Sequence, residues 1–286
     1  MINIKPLYIH VPGQACATPC AYCITRSYTL RPSSCLDENS PRYVLCKQDF
    51  YKRMAFARDN GCNAIFIVGD CEPQKNRAFL ERIAIINNML PRSFRIVELT
   101  TTGRNLTREY LYFLRSVIGV TTIDLNVAAF DDVMNQELAG MVSSETKVEL
   151  LPLIHNIKDL TFNLHLHIFL SKYFEVYKDN PMQFFKDCEY KYNAQYMSIH
   201  DTPAPNDWLK SRAGSLQMQE NIKAYIKKHG AYKAEFPSYA DVYTLNNLII
   251  LMDPPIERLA TKREGLIIQT NGHLYTQWDE KTSLVF

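Results

Sequence analysis

One helix-to-strand unit of the chain lies in QDFYKRMAFARDNGCNAIFIVGDCEP, residues 48–73. Residues 48–59 have helical spacing and are followed by Asn60-Gly61, a common signal for the end of a helix. Residues 64–68, AIFIV, form a short β-branched run, which is typical of a buried strand. The sequence therefore predicts a helix, a turn and a strand in direct succession.

The same alternation recurs along most of the chain. The predicted strands are short apolar runs at residues 7–11, 64–68, 94–99, 121–127, 161–170 and 194–199. The predicted helices lie at residues 48–59, 76–90, 107–116, 131–138, 145–155 and 217–228. Such alternation is typical of βα units around a parallel sheet. The pattern predicts an α/β fold, a partial (β/α)6 barrel over residues 1–230.

The last part of the chain has a different pattern. Residues 248–252 form an apolar run, and an Asn271-Gly272 turn separates residues 265–269 from residues 273–275. Asn-Gly between two apolar runs is the strongest short hairpin signal. We therefore predict that residues 231–286 form a small C-terminal β extension packed on the barrel.

Composition and charge exclude several classes of protein. The chain has 286 residues, of which 47% are hydrophobic, so dominant disorder is excluded. The formal net charge of +2 gives no indication of binding to nucleic acid or to anionic membranes. No apolar run reaches the roughly 20 residues that span a bilayer, and the N-terminus lacks the features of a signal peptide. The sequence predicts a cytoplasmic protein.

Three of the eight cysteines lie close together after the first predicted strand. Cys16, Cys20 and Cys23 have the spacing C-x3-C-x2-C. Three thiolates on one short loop can ligate three irons of a [4Fe-4S] cluster and leave the fourth iron open. A zinc site completed by His or a remote Cys is an alternative, and three unrelated core cysteines are another. Four further cysteines have no C-x2-C partner: Cys35, Cys46, Cys62 and Cys188.

This spacing, with Tyr22 directly before the third cysteine, resembles the motif of the radical S-adenosylmethionine (SAM) superfamily. Members carry it after the first strand of a partial (β/α)6 barrel. The resemblance implies that Cys16, Cys20 and Cys23 hold the cluster, that SAM binds the open iron, and that Tyr22 lies near the adenine. It implies an enzyme whose reduced cluster cleaves SAM to a 5′-deoxyadenosyl radical, which removes a hydrogen atom from a substrate in the barrel. The electron would come from a donor such as flavodoxin or ferredoxin.

A second family motif follows the second predicted strand. Family members have Gly-Gly-Glu-Pro there, and its backbone receives the methionine ammonium of SAM. This chain has a variant of that segment, made of Gly69, Asp70, Cys71, Glu72 and Pro73. The resemblance implies that this segment binds SAM. Cys71 replaces a glycine, which tolerates more backbone geometries, and taken alone Cys71 predicts a buried packing residue.

Other polar residues also follow predicted strands, so we expect them at the carboxyl-end rim, where parallel barrels place catalysis. The resemblance implies that polar groups on this rim hold the ribose and carboxylate of SAM. By position the candidates are Thr102, Asn126 and Ser171. An ordinary helix-cap or turn role is an equal alternative for each of them.

Histidine and arginine side chains are the candidates for contact with the substrate. His200 and Arg104 follow predicted strands six and three, and we expect them to act on the substrate side; a surface salt bridge is the alternative for Arg104. His165 and His167 share one face of predicted strand five because side chains alternate. They could bind substrate or metal, or they could be satisfied core histidines.

Two substrate classes fit the resemblance. The first is a small molecule or a modified nucleobase, including the rearrangement of an amino-acid-decorated pyrimidine. The second is a peptide side chain. Peptide modifiers commonly carry an extra recognition domain near the N-terminus, whereas this chain begins its first predicted strand by residue 7, which favours the first class. A non-enzymatic iron-sulfur or zinc protein is the alternative of another kind.

Overall fold

The computed structural model describes residues 4–12, 20, 41–69, 71–140, 147–201, 211–235, 240–252, 265–277 and 283–285. Within these residues the strands are β1 (Pro6–Val11), β2 (Ala64–Gly69), β3 (Ile96–Thr101), β4 (Thr122–Val127), β5 (Asn163–Leu170), β6 (Tyr196–Asp201), β7 (Ala231–Glu235), β8 (Asp241–Leu245), β9 (Leu248–Met252), β10 (Leu266–Ile268) and β11 (Leu274–Tyr275). They form one sheet in the order β11-β10-β1-β2-β3-β4-β5-β6-β9-β8-β7. Strands β1 to β6 are parallel neighbours in chain order. The predicted partial barrel is confirmed.

Helices connect most of these strands. They are α1 (Pro41–Asp59), α2 (Arg77–Met89), α3 (Arg108–Phe113), α4 (Asp132–Leu138), α5 (Leu150–Asp159), α6 (Pro181–Lys186) and α7 (Leu216–His229). Helix α6 lies where the sequence analysis predicts no element. It begins at a proline, and the preceding Asn180 accepts a hydrogen bond from the Gln183 N–H, which is a standard way to start a helix.

Several elements begin at other residues than predicted: α1 begins at Pro41, β5 at Asn163 and β6 at Tyr196, and β3 and α5 are displaced as well. Strand β3 begins at Ile96 rather than at residue 94, because the side chain of Asn87 on α2 binds both the N–H (2.8 Å) and the carbonyl (3.0 Å) of Phe94. These bonds hold Phe94 in the preceding turn. Helix α5 begins at Leu150 rather than at residue 145, and its buried face includes Leu153 and Ile157.

Strands β3 to β6 have one apolar and one largely polar face. On β5, Leu164, Leu166 and Ile168 are buried in the hydrophobic core. The alternate residues, His165 and His167, therefore lie on the opposite, inner face of the barrel. The same alternation on β3, β4 and β6 gives the barrel an inner wall of polar side chains.

The C-terminal strands are more closely joined to the barrel than the sequence predicts. Strand β9 pairs in parallel with β6, and β10 pairs in parallel with β1. Next to β10, the side chain of Gln269 binds that of His10 on β1, with Oε1 2.9 Å from Nδ1. The extension therefore continues the barrel sheet at both edges instead of only packing on it. A domain boundary at residue 230 stays a prediction.

Among the described residues, no helix has the length and apolar character required to cross a bilayer.

Replacement of Ile268 by Ala tests whether the C-terminal strands belong to the barrel. Ile268 is fully buried opposite Ile9 of β1, so we expect the whole fold to lose about 2–5 kcal/mol in a single transition. Urea unfolding followed by fluorescence and circular dichroism measures this loss. Ile85→Ala is the matched control, since Ile85 is exposed on α2, and should change stability by less than about 0.5 kcal/mol. A separate early transition confined to the tail would contradict the prediction.

Candidate functional site

Strand β2 ends in a turn that requires glycine. A Cβ atom on Gly69 would lie 2.9 Å from the carbonyl oxygen of Cys71 and 3.3 Å from that of Val11. Both are backbone atoms, so neither can move aside easily. Cys71 itself is half-buried, with its Sγ 3.8 Å from the Glu72 carbonyl oxygen. Asp70 lies outside the described residues.

The carboxylate of Glu72 ties this turn to the end of β3. It accepts hydrogen bonds from the side chains of Gln74 (2.7 Å), Thr101 (2.6 Å) and Thr102, and from the Thr102 N–H (3.2 Å). A buried carboxylate with several donors is strongly held. The Thr102 hydroxyl, a candidate SAM ligand, is therefore engaged by Glu72. Pro73 is also buried and begins a short 3-10 helix, Pro73–Lys75.

The same segment contacts two other strand ends. The Gln74 amide donates to the Arg104 carbonyl at 2.8 Å, and the Asn76 amide donates to the Pro12 carbonyl at 2.8 Å. Pro12 directly follows β1, and Arg104 follows β3. The segment from residue 71 to residue 76 is thus fixed between the ends of β1 and β3, which suits a rim that must present its backbone to a ligand.

Ser171 and Asn126 differ in their surroundings. The Ser171 hydroxyl donates to the Ala128 carbonyl and accepts from the Tyr173 N–H at 3.2 Å. It therefore caps the short 3-10 helix Lys172–Tyr177, which is the alternative role that the sequence analysis raised. Asn126 is half-buried on the inner face of β4, opposite His167 in register.

One of the three motif cysteines lies in the described part of the chain. Cys20 is half-buried, and its thiol donates to the carbonyl of Ala139 at 3.2 Å, at the C-terminal end of α4. It forms no disulfide, so its sulfur suits iron ligation once deprotonated. Cys16, Tyr22 and Cys23 lie outside the described residues.

A buried ionic cluster crosses the inner wall from β3 to β6. The His165 Nδ1 atom lies 3.4 Å from a Glu98 carboxylate oxygen and 3.5 Å from one of Asp124, and its Nε2 atom lies 2.6 Å from the Ser198 hydroxyl. The other Asp124 oxygen accepts from the Thr100 hydroxyl at 2.8 Å. Sequence analysis missed Glu98 and Asp124. Their charged side chains at inward positions of predicted strands were the available signal.

The charges of this cluster balance each other. Burial disfavours the charged imidazole, but the carboxylates of Asp124 and Glu98 outweigh it and raise the pKa of His165 to about 9. Burial would raise the pKa of Asp124, yet His165 and His167 hold it well below its ordinary value. Burial raises the pKa of Glu98. His165 is therefore a buried cation beside an ionised Asp124. Glu98, Asp124 and His165 are close enough to share a metal ion, but here they pair with one another.

His167 and His200 lie together further along the wall. Their rings stack with centroids 4.1 Å apart, and the ring of Phe169 lies 5.0 Å from that of His167. The Nδ1 atom of His167 is 3.4 Å from Asp124. Burial, followed by the charge of His200, lowers the pKa of His167 below its ordinary value. Of the predicted substrate-side residues, His200 is thus brought beside the β5 histidines, and Arg104 is half-buried beyond the end of β3.

Replacement of Glu72 by Gln tests the rim network. The new amide N–H₂ would face the groups that donate to Glu72, and the negative charge would be lost. We therefore expect a loss of about 2–3 kcal/mol in stability. Thermal and urea unfolding measure it. Glu81→Gln is the matched control, because Glu81 forms an exposed pair with Arg77, worth about 0.5 kcal/mol or less. Equal effects of the two changes would show that the Glu72 contacts contribute little.

Stability should depend on pH through His165. Its pKa of about 9 in the folded state exceeds the ordinary value of about 6.5, so the folded state binds this proton more tightly. The stabilisation is fully present below about pH 6.5 and is lost as the pH rises through about 9. We expect the stability gap between wild type and His165→Gln to shrink by on the order of 3 kcal/mol between pH 6 and pH 9.5. His155→Gln, an exposed change, is the control, and a gap independent of pH would refute the prediction.

Comparison with known proteins gives structural relatives only. No family model matches the sequence, and no curated protein matches it either. The solved structure of anSMEcpe with bound AdoMet and a Cp18Cys peptide is 13% identical, with a TM-score of 0.60, over 97% of this chain and 75% of that chain. A histidine-tagged form of anSMEcpe with bound AdoMet is 12% identical, with a TM-score of 0.60, over 95% of this chain and 74% of that chain. Coproporphyrinogen III oxidase (HemN) from Escherichia coli, a radical SAM enzyme, is 15% identical, with a TM-score of 0.47, over 80% of this chain and 54% of that chain. The chain shares the partial-barrel fold of the anSMEcpe structures, which were solved with bound AdoMet.

Proposed function

We propose that this chain is a radical SAM enzyme. The observation that carries the proposal is the place of the C-x3-C-x2-C motif, which directly follows β1 of a barrel whose structural relatives bind AdoMet. In this proposal Cys16, Cys20 and Cys23 hold a [4Fe-4S] cluster. When bound, the cluster and SAM supply a 5′-deoxyadenosyl radical that removes a hydrogen atom from the substrate.

The rim after β2 is the proposed SAM site. The segment of Gly69, Asp70 and Cys71 is the proposed backbone contact for the methionine ammonium. Glu72 and Pro73, which follow it, are fixed by the contacts described above. Tyr22, Thr102, Asn126 and Ser171 complete the proposed SAM contacts. The capping bonds of Ser171 support a role in shaping the rim more than a direct contact.

The barrel interior is the proposed substrate site. Its inner wall joins hydrogen-bonding groups to stacked rings, as Asn126, His167 and His200 show. Such a wall suits a small polar molecule or a modified nucleobase, and a rearrangement of an amino-acid-decorated pyrimidine is the narrower form of this proposal. Arg104 and His200 are the proposed substrate-side residues. A flavodoxin or ferredoxin would donate the electron, and a reducing cytoplasm would keep the motif cysteines available as thiolate ligands.

Peptide modification is the second candidate. It is favoured by one observation, that anSMEcpe has been solved with a peptide bound. Perdeuterated nucleosides and perdeuterated peptides separate the two candidates, because hydrogen abstraction carries deuterium into 5′-deoxyadenosine. Label from a nucleoside supports the first candidate, and label from a peptide supports the second.

Cysteine replacement tests the cluster. Anaerobic reconstitution should give about four irons per chain, and SAM with dithionite should then yield 5′-deoxyadenosine. Cys20→Ala should lose both the iron and the product. Cys35→Ala and Cys46→Ala are matched controls outside the motif and should keep both.

Three outcomes would contradict the proposal. Normal 5′-deoxyadenosine formation by Cys20→Ala would place the cluster elsewhere. An intact cluster that never cleaves SAM would favour a non-enzymatic iron-sulfur protein. Binding of zinc in place of iron would favour a zinc site.

A further inference from the structure

The two histidines of β5 share one carboxylate but are held differently. His165 is buried, and both of its ring nitrogens contact neighbouring side chains: Glu98, Asp124 and Ser198. The side chain of His167 is 20% exposed, and that of His165 is 10% exposed. Asp124 lies between the two rings, with one oxygen 3.5 Å from His165 and the other 3.4 Å from His167.

The contact with Asp124 selects one tautomer of His167. The oxygen that faces His167 also accepts the Thr100 hydroxyl at 2.8 Å, so it is held in place. An ionised carboxylate at Nδ1 accepts an N–H, which puts the proton of a neutral imidazole on Nδ1 and the lone pair on Nε2. In the described part of the chain, no hydrogen bond occupies that Nε2 atom. Nε2 is therefore the basic atom of His167.

Titratable groups from three strands act on this ring: Asp124 on β4, His165 on β5 and His200 on β6. Glu98 on β3 contacts His165 and not His167. Burial and His200 lower the pKa of His167, while the carboxylates raise that of His165. Neighbouring titratable groups whose pKa values are pushed apart are a recurring mark of acid-base sites. At neutral pH the wall thus pairs a protonated His165 with a neutral His167.

We propose that Asp124 and His167 form a proton-transfer pair on the inner wall, and that Nε2 of His167 takes a proton from an O–H or N–H group of the substrate. The proton-transfer pair rests on the proposed function in one respect, that the substrate binds inside the barrel. The substrate O–H or N–H bond breaks, its electron pair stays on the heteroatom, and the proton bonds to Nε2. Asp124 stabilises the imidazolium that forms. No electron is exchanged, so the step requires no oxidant.

This role assigns a chemical class to the substrate. A neutral base accepts a proton or a hydrogen bond but donates neither from Nε2, so the group facing His167 carries a hydrogen: a hydroxyl, an amine, an amide or an imide. An ionised carboxylate or phosphate oxygen in that place would face the lone pair of Nε2 and could form no hydrogen bond with it. The stacked rings of His167 and His200 give the same place an aromatic surface, which suits a flat substrate group.

Acylation by diethyl pyrocarbonate tests the pair in the full-length protein, because the reagent reacts with neutral, accessible imidazole nitrogen. Mass-spectrometric mapping should show His167 acylated at Nε2, with a half-point below pH 6.5, while His165 stays unmodified up to pH 8. Asp124→Asn should lower that half-point, since a carboxylate no longer supports the cation, and should divide the label between both nitrogens. His155, exposed on α5, should react with the same pH profile in both proteins.

Turnover supplies the second measurement. With a substrate found by the deuterium screen, His167→Gln should slow product formation about 100-fold or more. It should also remove the acid limb of the kcat/KM profile, whose midpoint in wild type should match the acylation half-point. His155→Gln should keep that limb.

The results separate this proposal from the proposed function. Acylation does not depend on SAM cleavage, so an enzyme that fails to cleave SAM overturns only the proposed function. Failure of His167 to react faster than His165 in wild type would overturn the proton-transfer pair, even if Asp124→Asn does not fold. An acid limb that survives in His167→Gln would overturn it as well.

Discussion

A single buried carboxylate, that of Asp124, organises the inner wall of the barrel. It is 3% exposed and lies against two histidines of the next strand and a threonine of the preceding one. A charge at that depth is stable only when it is paired, and removal of one partner leaves a buried charge that costs several kcal/mol. The parallel register of β3, β4 and β5 is what brings Thr100, Asp124 and His165 together. The same residues therefore hold the strands in place and set the chemistry of the barrel interior.

A second buried carboxylate, that of Glu72, joins neighbouring segments at the rim. Glu72 joins the turn after β2 to Thr101 and Thr102 at the end of β3. In both places an acidic side chain fixes backbone geometry by accepting bonds from a neighbouring strand. The two regions have different proposed ligands: SAM would meet the backbone of the rim, and the substrate would meet the side chains of the inner wall. A reactive radical requires such preorganisation, because the protein's contribution is to align the reactants and exclude water.

The sequence predicts the barrel well because each of its strands is marked by a short apolar run. It misses β7, since residues 231–235, AYKAE, have no apolar run and pair at the edge of the sheet. It also misses β8, which pairs with β7 and β9. It also places β3 too early, because the side chain of Asn87 holds the apolar Phe94 in the loop before the strand. A side-chain contact of this kind leaves no signal in the apolar pattern.

The candidate site is predicted less completely. The cysteine motif and the segment from Gly69 to Pro73 are local and can be read directly. The cluster around Asp124 is not local, because its members come from four strands and meet only when the register Asp124 to His165 is known. From the sequence, His165 and His167 have the same two alternatives: they bind substrate or metal, or they are satisfied core histidines. The structure shows that they differ, since the first is a satisfied buried cation and the second contacts Asp124 through only one nitrogen.

The central claim is that SAM binds the open iron of a cluster held by Cys16, Cys20 and Cys23. Electron-nuclear double resonance on the reduced, reconstituted protein with SAM labelled by ¹⁵N at its amino group tests it most directly. The account predicts that SAM changes the electron paramagnetic resonance spectrum of the cluster and that a ¹⁵N hyperfine coupling appears. A fully assembled cluster whose spectrum is unchanged by SAM, with no ¹⁵N coupling, would contradict it.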